Sequence, residues 1–64
     1  MEGTVKRWLT SYGFIGAEGM KKDIFVHLSD VKGNIPLMVG QKVKFDLKEE
    51  ARGPRAVNVE VIGD

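Results

Sequence analysis

Cysteine is absent from this 64-residue chain. Its absence excludes a disulfide scaffold and thiol chemistry, and it fits a reducing compartment. Histidine occurs once, and a single imidazole without thiolates argues against a zinc site. No apolar run approaches the roughly 20 residues that span a bilayer. Met1-Glu2-Gly3 passes directly into a strand-like pattern and lacks the shape of a signal peptide. A cytoplasmic protein with no membrane partner is expected. Charge of one sign is also missing, because ten Lys and Arg face nine Asp and Glu for a net charge of +1. Overall charge is thus a weak argument for nucleic acid, and distribution has to carry the case. Repeats and low-complexity tracts are absent, and helical periodicity is weak throughout.

What is present is period-two alternation in short runs. Residues 4–9 alternate, with Val5 and Leu9 on one side and Lys6 and Trp8 on the other. Residues 12–17 and 23–28 form two further strand patterns, separated by a turn marked by Gly16, Glu18 and Gly19. Residues 29–40 hold Gly33-Asn34, Pro36 and Gly40 and read as an irregular connection, with a short 3₁₀ turn at Ser29-Asp30-Val31 and Asp30 as its cap. Residues 42–48 alternate strictly, with Val43, Phe45 and Leu47 inward. A charged loop then ends in Gly53-Pro54. Residues 55–62 form the last strand, with Val57, Val59 and Val61 on one face. The chain is expected to be one domain over 1–64, all-β in class. A domain this small buries only about 60% of its unfolded surface. Five short strands in so short a chain are best closed into a five-stranded antiparallel Greek-key barrel of the OB-fold type, which removes unpaired edges.

Two segments carry the functional signal. In Tyr12-Gly13-Phe14-Ile15 and Asp23-Ile24-Phe25-Val26-His27, the aliphatic Ile15, Ile24 and Val26 share one parity. Tyr12, Phe14, Phe25 and His27 share the other. If the aliphatics face a core, the rings face outward together, and flat rings on a sheet surface form a stacking platform for unpaired bases. Gly13, between two rings, eases sheet curvature or close packing.

These segments, with Gly3-Thr4-Val5-Lys6 before them, resemble the cold-shock domain family. Tyr12-Gly13-Phe14-Ile15 is similar to the core of its first ribonucleoprotein motif, and Phe25-Val26-His27 to the second. Gly40-Gln41-Lys42-Val43-Lys44-Phe45 resembles its fourth strand, and Arg52-Gly53-Pro54-Arg55-Ala56-Val57-Asn58-Val59 its Arg-Gly-Pro ending. The resemblance covers nearly the whole chain in order. It implies single-stranded RNA or DNA as partner, pyrimidine-rich segments favoured, and RNA chaperoning with effects on transcription and translation. It implies no cofactor and no catalysis. The chain departs from the family pattern in several places. Arg7 falls at the usual Trp position and Trp8 at the usual Phe position, and the first hairpin is shorter. Leu28 replaces an aromatic after His27, and Ile35-Pro36 replaces another in the long connection.

The expected nucleic-acid-binding residues are therefore Lys6, Arg7, Trp8, Tyr12, Phe14, Asp23, Phe25, His27, Leu28, Arg52 and Arg55. The rings stack bases, and Asp23 accepts hydrogen bonds from bases at the rim. Lys6, Arg52 and Arg55 contact phosphates or bases, while Lys42, Lys44 and Lys48 mainly serve solubility. Simple alternation puts Trp8 on the outer face, and a bulge would turn it inward. No nucleophile with an orienting partner is visible, so no catalytic residue, metal, cofactor or small-molecule substrate is expected. A monomer is expected. The competing functions are a ribosome-associated RNA module on the same fold and a protein-interaction adaptor using the aromatic patch.

Overall fold

Alternation in the sequence becomes five β-strands closed into a barrel in the computed structural model, which describes residues 1–62. The strands are β1 (Glu2–Trp8), β2 (Tyr12–Gly16), β3 (Ile24–His27), β4 (Lys42–Glu50) and β5 (Gly53–Val61). Around the barrel they run β1-β2-β3-β5-β4, and β4 closes onto β1. Four of the five interfaces are antiparallel. The fifth, β3 with β5, is parallel, because the connection after β3 crosses the barrel end before β4 begins. Two 3₁₀ turns, Leu28–Asp30 and Lys32–Asn34, lie in that connection.

The core is aliphatic with one ring at its centre. Val5, Ile15, Ile24, Val26, Val43, Phe45, Ala56 and Val59 are buried within the strands. Each fully buried Val or Ile side chain contributes roughly 1.5–3 kcal/mol. Val31 and Leu37 join this core from the irregular connection, which therefore plugs the barrel as well as linking its strands. Val31 is fixed there by a parallel bridge to Val59.

Two bulges overturn simple alternation. In β1, Val5 pairs with Ile15 and Arg7 with Phe14, so Lys6 is an extra residue. Past it the faces swap: Arg7 takes the outer side, and Trp8 packs half-buried against the core. Leu9, expected inward with Val5, lies half-buried beyond the strand end. In β5, Lys44 pairs with Glu60 and Asp46 with Val57, which leaves one extra residue on β5. Asn58 lies in that stretch with φ of 53°. The consequence is that Ala56 and Val59 are buried while Val61 is exposed, in place of the expected Val57-Val59-Val61 face. The expected charged loop before β5 is also reduced. Glu49 pairs with Pro54 and Glu50 with Gly53, so only Ala51 and Arg52 make the turn.

Candidate nucleic-acid interface

Register brings the rings together. Across the antiparallel β2–β3 pair, Phe14 stands opposite Phe25 and Tyr12 opposite His27. Their inward neighbours Ile15, Ile24 and Val26 are fully buried, which fixes the rings on the outer side. Phe14 and Phe25 have centroids 6.0 Å apart at 68°. Tyr12 is 6.3 Å from Phe14 at 84° and 5.9 Å from Phe25 at 32°. These edge-on and tilted contacts stabilise the cluster and leave ring faces open, with Tyr12 exposed and the two Phe rings half-buried.

His27 closes one end of the platform. Its Nδ1 accepts a hydrogen bond from the Ser29 backbone N–H at 3.1 Å, and the Ser29 hydroxyl lies 3.0 Å from the same atom. The imidazole thereby caps the first 3₁₀ turn, the role expected of Asp30. An Nδ1 that accepts from a backbone amide places the proton of a neutral ring on Nε2, as a donor. Leu28 follows within the turn, half-buried, its backbone N–H donating to the Ser11 carbonyl at 2.8 Å.

Asp30 serves instead as an anchor for Arg55. The Arg55 guanidinium donates to Asp30 Oδ2 through Nη2 at 2.6 Å and Nε at 2.9 Å. Its Nη1 lies 3.6 Å from Glu50 Oε1, and its Cζ lies 6.0 Å from the Phe25 ring centroid. The Asp30 hydrogen bond, followed by the Asp30 charge, raises the guanidinium above its usual value. Arg55, expected from the sequence to contact phosphates or bases, is thus ion-paired within the protein beside the platform.

The other expected residues divide between platform and periphery. Arg7 is exposed opposite Phe14 and, like Arg52 in the β4–β5 turn, forms no ion pair among the described residues. The Lys6 stem lies over Gly16, in space that a Cβ there would occupy, and its Nζ reaches to 3.8 Å from Asp23 Oδ1. Lys6 and Asp23 therefore form a partly neutralised, exposed edge. Trp8 stands apart from the ring contacts. It is opposite Gly13, and a Cβ on Gly13 would sit 2.6 Å from Trp8 Cε3. The missing side chain of Gly13 is what lets the indole close the barrel end.

Sequence reasoning missed Glu50 and Pro54. Together with Phe14, Phe25, Arg52 and Arg55 they line an open groove of about 410 Å³ between the rings and the β4–β5 turn. The strand pairing that brings 50 and 54 to this edge carries no local sequence signal.

Comparisons with known proteins bear on the family and the fold. The sequence model of the 'Cold-shock' DNA-binding domain family matches residues 1–62. A cold shock-like protein of Aquifex aeolicus is 48% identical over 67 residues, covering 97% of this chain and 94% of its own length. The major cold shock protein of Streptococcus pyogenes is 44% identical over 63 residues, covering 91% of each. Among solved structures, Drosophila Unr CSD456 superposes with a TM-score of 0.82 over 97% of this chain, at 16% identity. This chain spans about a quarter of that longer one (26%), and the likeness is one of fold.

Proposed function

This chain belongs to the cold-shock domain family, whose fold binds nucleic acid, and we propose that it binds single-stranded RNA or DNA by stacking unpaired bases on Tyr12, Phe14, Phe25 and His27. The observation that carries this reading is the spacing of the rings. The centroids of Tyr12, Phe14 and Phe25 lie 5.9–6.3 Å apart, whereas bases in a duplex follow one another at about 3.4 Å along each strand. A strand must be drawn out and its bases separated to use the platform. Binding therefore opposes pairing, which is the physical basis of an RNA chaperone.

Stacking is worth about 1–3 kcal/mol per base. Three ring sites supply roughly 3–9 kcal/mol before the strand's ordering cost, so affinity reaches about micromolar only toward the upper end of that range. Because every base has a π face, the rings tolerate many sequences. The Nε2 donor of His27 and the cations Arg7 and Arg52 add contacts to base edges and phosphates at the perimeter. An NMR titration with hexauridylate tests the reading. Shifts concentrated at residues 12–14 and 25–28 support it, and shifts concentrated elsewhere on the barrel overturn it.

One feature favours a second reading, that of a protein-interaction adaptor. Ile35, Met38 and Val39 are 61–68% exposed in the connection before β4. In that case a partner protein stays bound after nuclease treatment, and Met38→Ser releases it while hexauridylate does not compete.

A further inference from the structure

The groove beside the rings holds a carboxylate where a nucleic-acid site would be expected to exclude one. Glu50 lines it with Phe14, Phe25, Arg52, Pro54 and Arg55. A carboxylate repels phosphate and accepts hydrogen bonds without donating any. The cations nearest Glu50 stand at ion-pair distances, Arg55 Nη1 at 3.6 Å and Lys48 Nζ at 3.9 Å. Asp30 holds Arg55 through Nη2 and Nε at 2.6 and 2.9 Å, which leaves only Nη1 facing Glu50. Each Glu50 oxygen thus has one cation at long ion-pair range and, among the described residues, neither accepts a hydrogen bond within 3.5 Å, which leaves the carboxylate capacity to accept from a ligand.

We propose that this groove is a one-nucleotide subsite in which Glu50 selects a base bearing an amino group on its pairing edge, cytosine over uracil. The inference rests on the reading that the rings bind unpaired bases. Phe14 and Phe25 supply the face against which the base lies, and Pro54 bounds the groove on the β5 side. Arg52, free of ion pairs among the described residues, is the cation available to the phosphate. The base edge then points at Glu50. Cytosine presents its N4 amino group, a donor that a Glu carboxylate accepts, and the bond is strengthened by the negative charge. Uracil places the O4 carbonyl there, acceptor against acceptor. The two pyrimidines stack almost alike, so the edge decides between them.

The test compares hexacytidylate with hexauridylate, by fluorescence anisotropy, on the wild-type chain, E50A and E50Q. Glu50 is exposed at the end of β4, and circular dichroism checks that both variants keep the barrel. The wild type is expected to favour the cytidine oligomer by about fivefold or more. E50A loses that preference through weaker cytidine binding while uridine binding holds or improves. E50Q binds the two alike, because its amide can turn either a donor or an acceptor to the base. Equal wild-type affinities, or an E50A variant that weakens both oligomers by the same factor, overturn the assignment. Phe25→Ala separates the stacking platform from the role of Glu50. If it leaves both affinities intact, the stacking reading itself fails; if it weakens both while E50A leaves their ratio unchanged, only the role of Glu50 fails.

Discussion

Arg55 grips Asp30 Oδ2 with two donors, Nη2 at 2.6 Å and Nε at 2.9 Å, and so ties β5 to the turn that follows β3. The pair sits beside Phe25, which makes Arg55 a positioning residue for the platform. The Arg55 value is raised above that of the unfolded chain. The contribution of its charged form is therefore full below the ordinary arginine value and is lost only as pH climbs through the raised one. Arg55→Gln is expected to lower the Tm, and moving from neutral to mildly alkaline pH is expected to leave its deficit unchanged. Thermal melts of both proteins across that range check this.

Salt dependence separates Arg55 from Arg52. A single strand loses about 0.7 in log–log slope for each phosphate contact removed. Arg52→Gln should reduce the slope by about that amount, and Arg55→Gln should weaken binding with the slope unchanged, because its charge is already neutralised by Asp30. Titrations at several salt concentrations read the difference.

Gly13→Ala forces a methyl group toward the Arg7 carbonyl and the Trp8 ring. Overpacking of this kind costs about 1–3 kcal/mol. The variant is expected to lose that much in urea denaturation, with a shift in Trp8 emission as the indole is pushed from the barrel end.

Asn58 occupies the left-handed region with φ of 53°, and its Nδ2 donates to Asp46 Oδ2 at 3.1 Å. A β-branched residue cannot adopt that backbone without strain of about 1–3 kcal/mol. Asn58→Val is expected to destabilise by this order in denaturant melts, and Asn58→Gly by much less, since glycine keeps the backbone and loses only the hydrogen bond.

The parts of this fold that follow period two were legible in the sequence. Ile15, Ile24, Val26, Val43 and Phe45 are buried as their parity requires, and the rings of Tyr12, Phe14 and Phe25 share a face for the same reason. The β1 bulge was open in the sequence only as an alternative for Trp8 and the β5 bulge was not legible, because one inserted residue flips every later side chain and leaves little trace in composition. Lys6 in β1 sent Trp8 inward and Arg7 outward, and the extra residue in β5 moved Ala56 into the core and Val61 out of it. Contacts distant in sequence were equally hidden. Arg55 finds Asp30 only because β3 and β5 run parallel, and Glu50 reaches the groove only because β4 and β5 extend almost to Ala51 and Arg52.

The central claim is that bases stack on the Phe14–Phe25 pair, and the affinity of the double variant Phe14→Ala/Phe25→Ala for hexauridylate tests it most directly. Both rings are half-buried outside the core, so the variant should keep the circular dichroism of the barrel. Loss of two stacking sites at about 1–3 kcal/mol each predicts that binding falls by about thirtyfold or more and toward undetectable. A folded double variant that binds hexauridylate as tightly as the wild type would contradict the account.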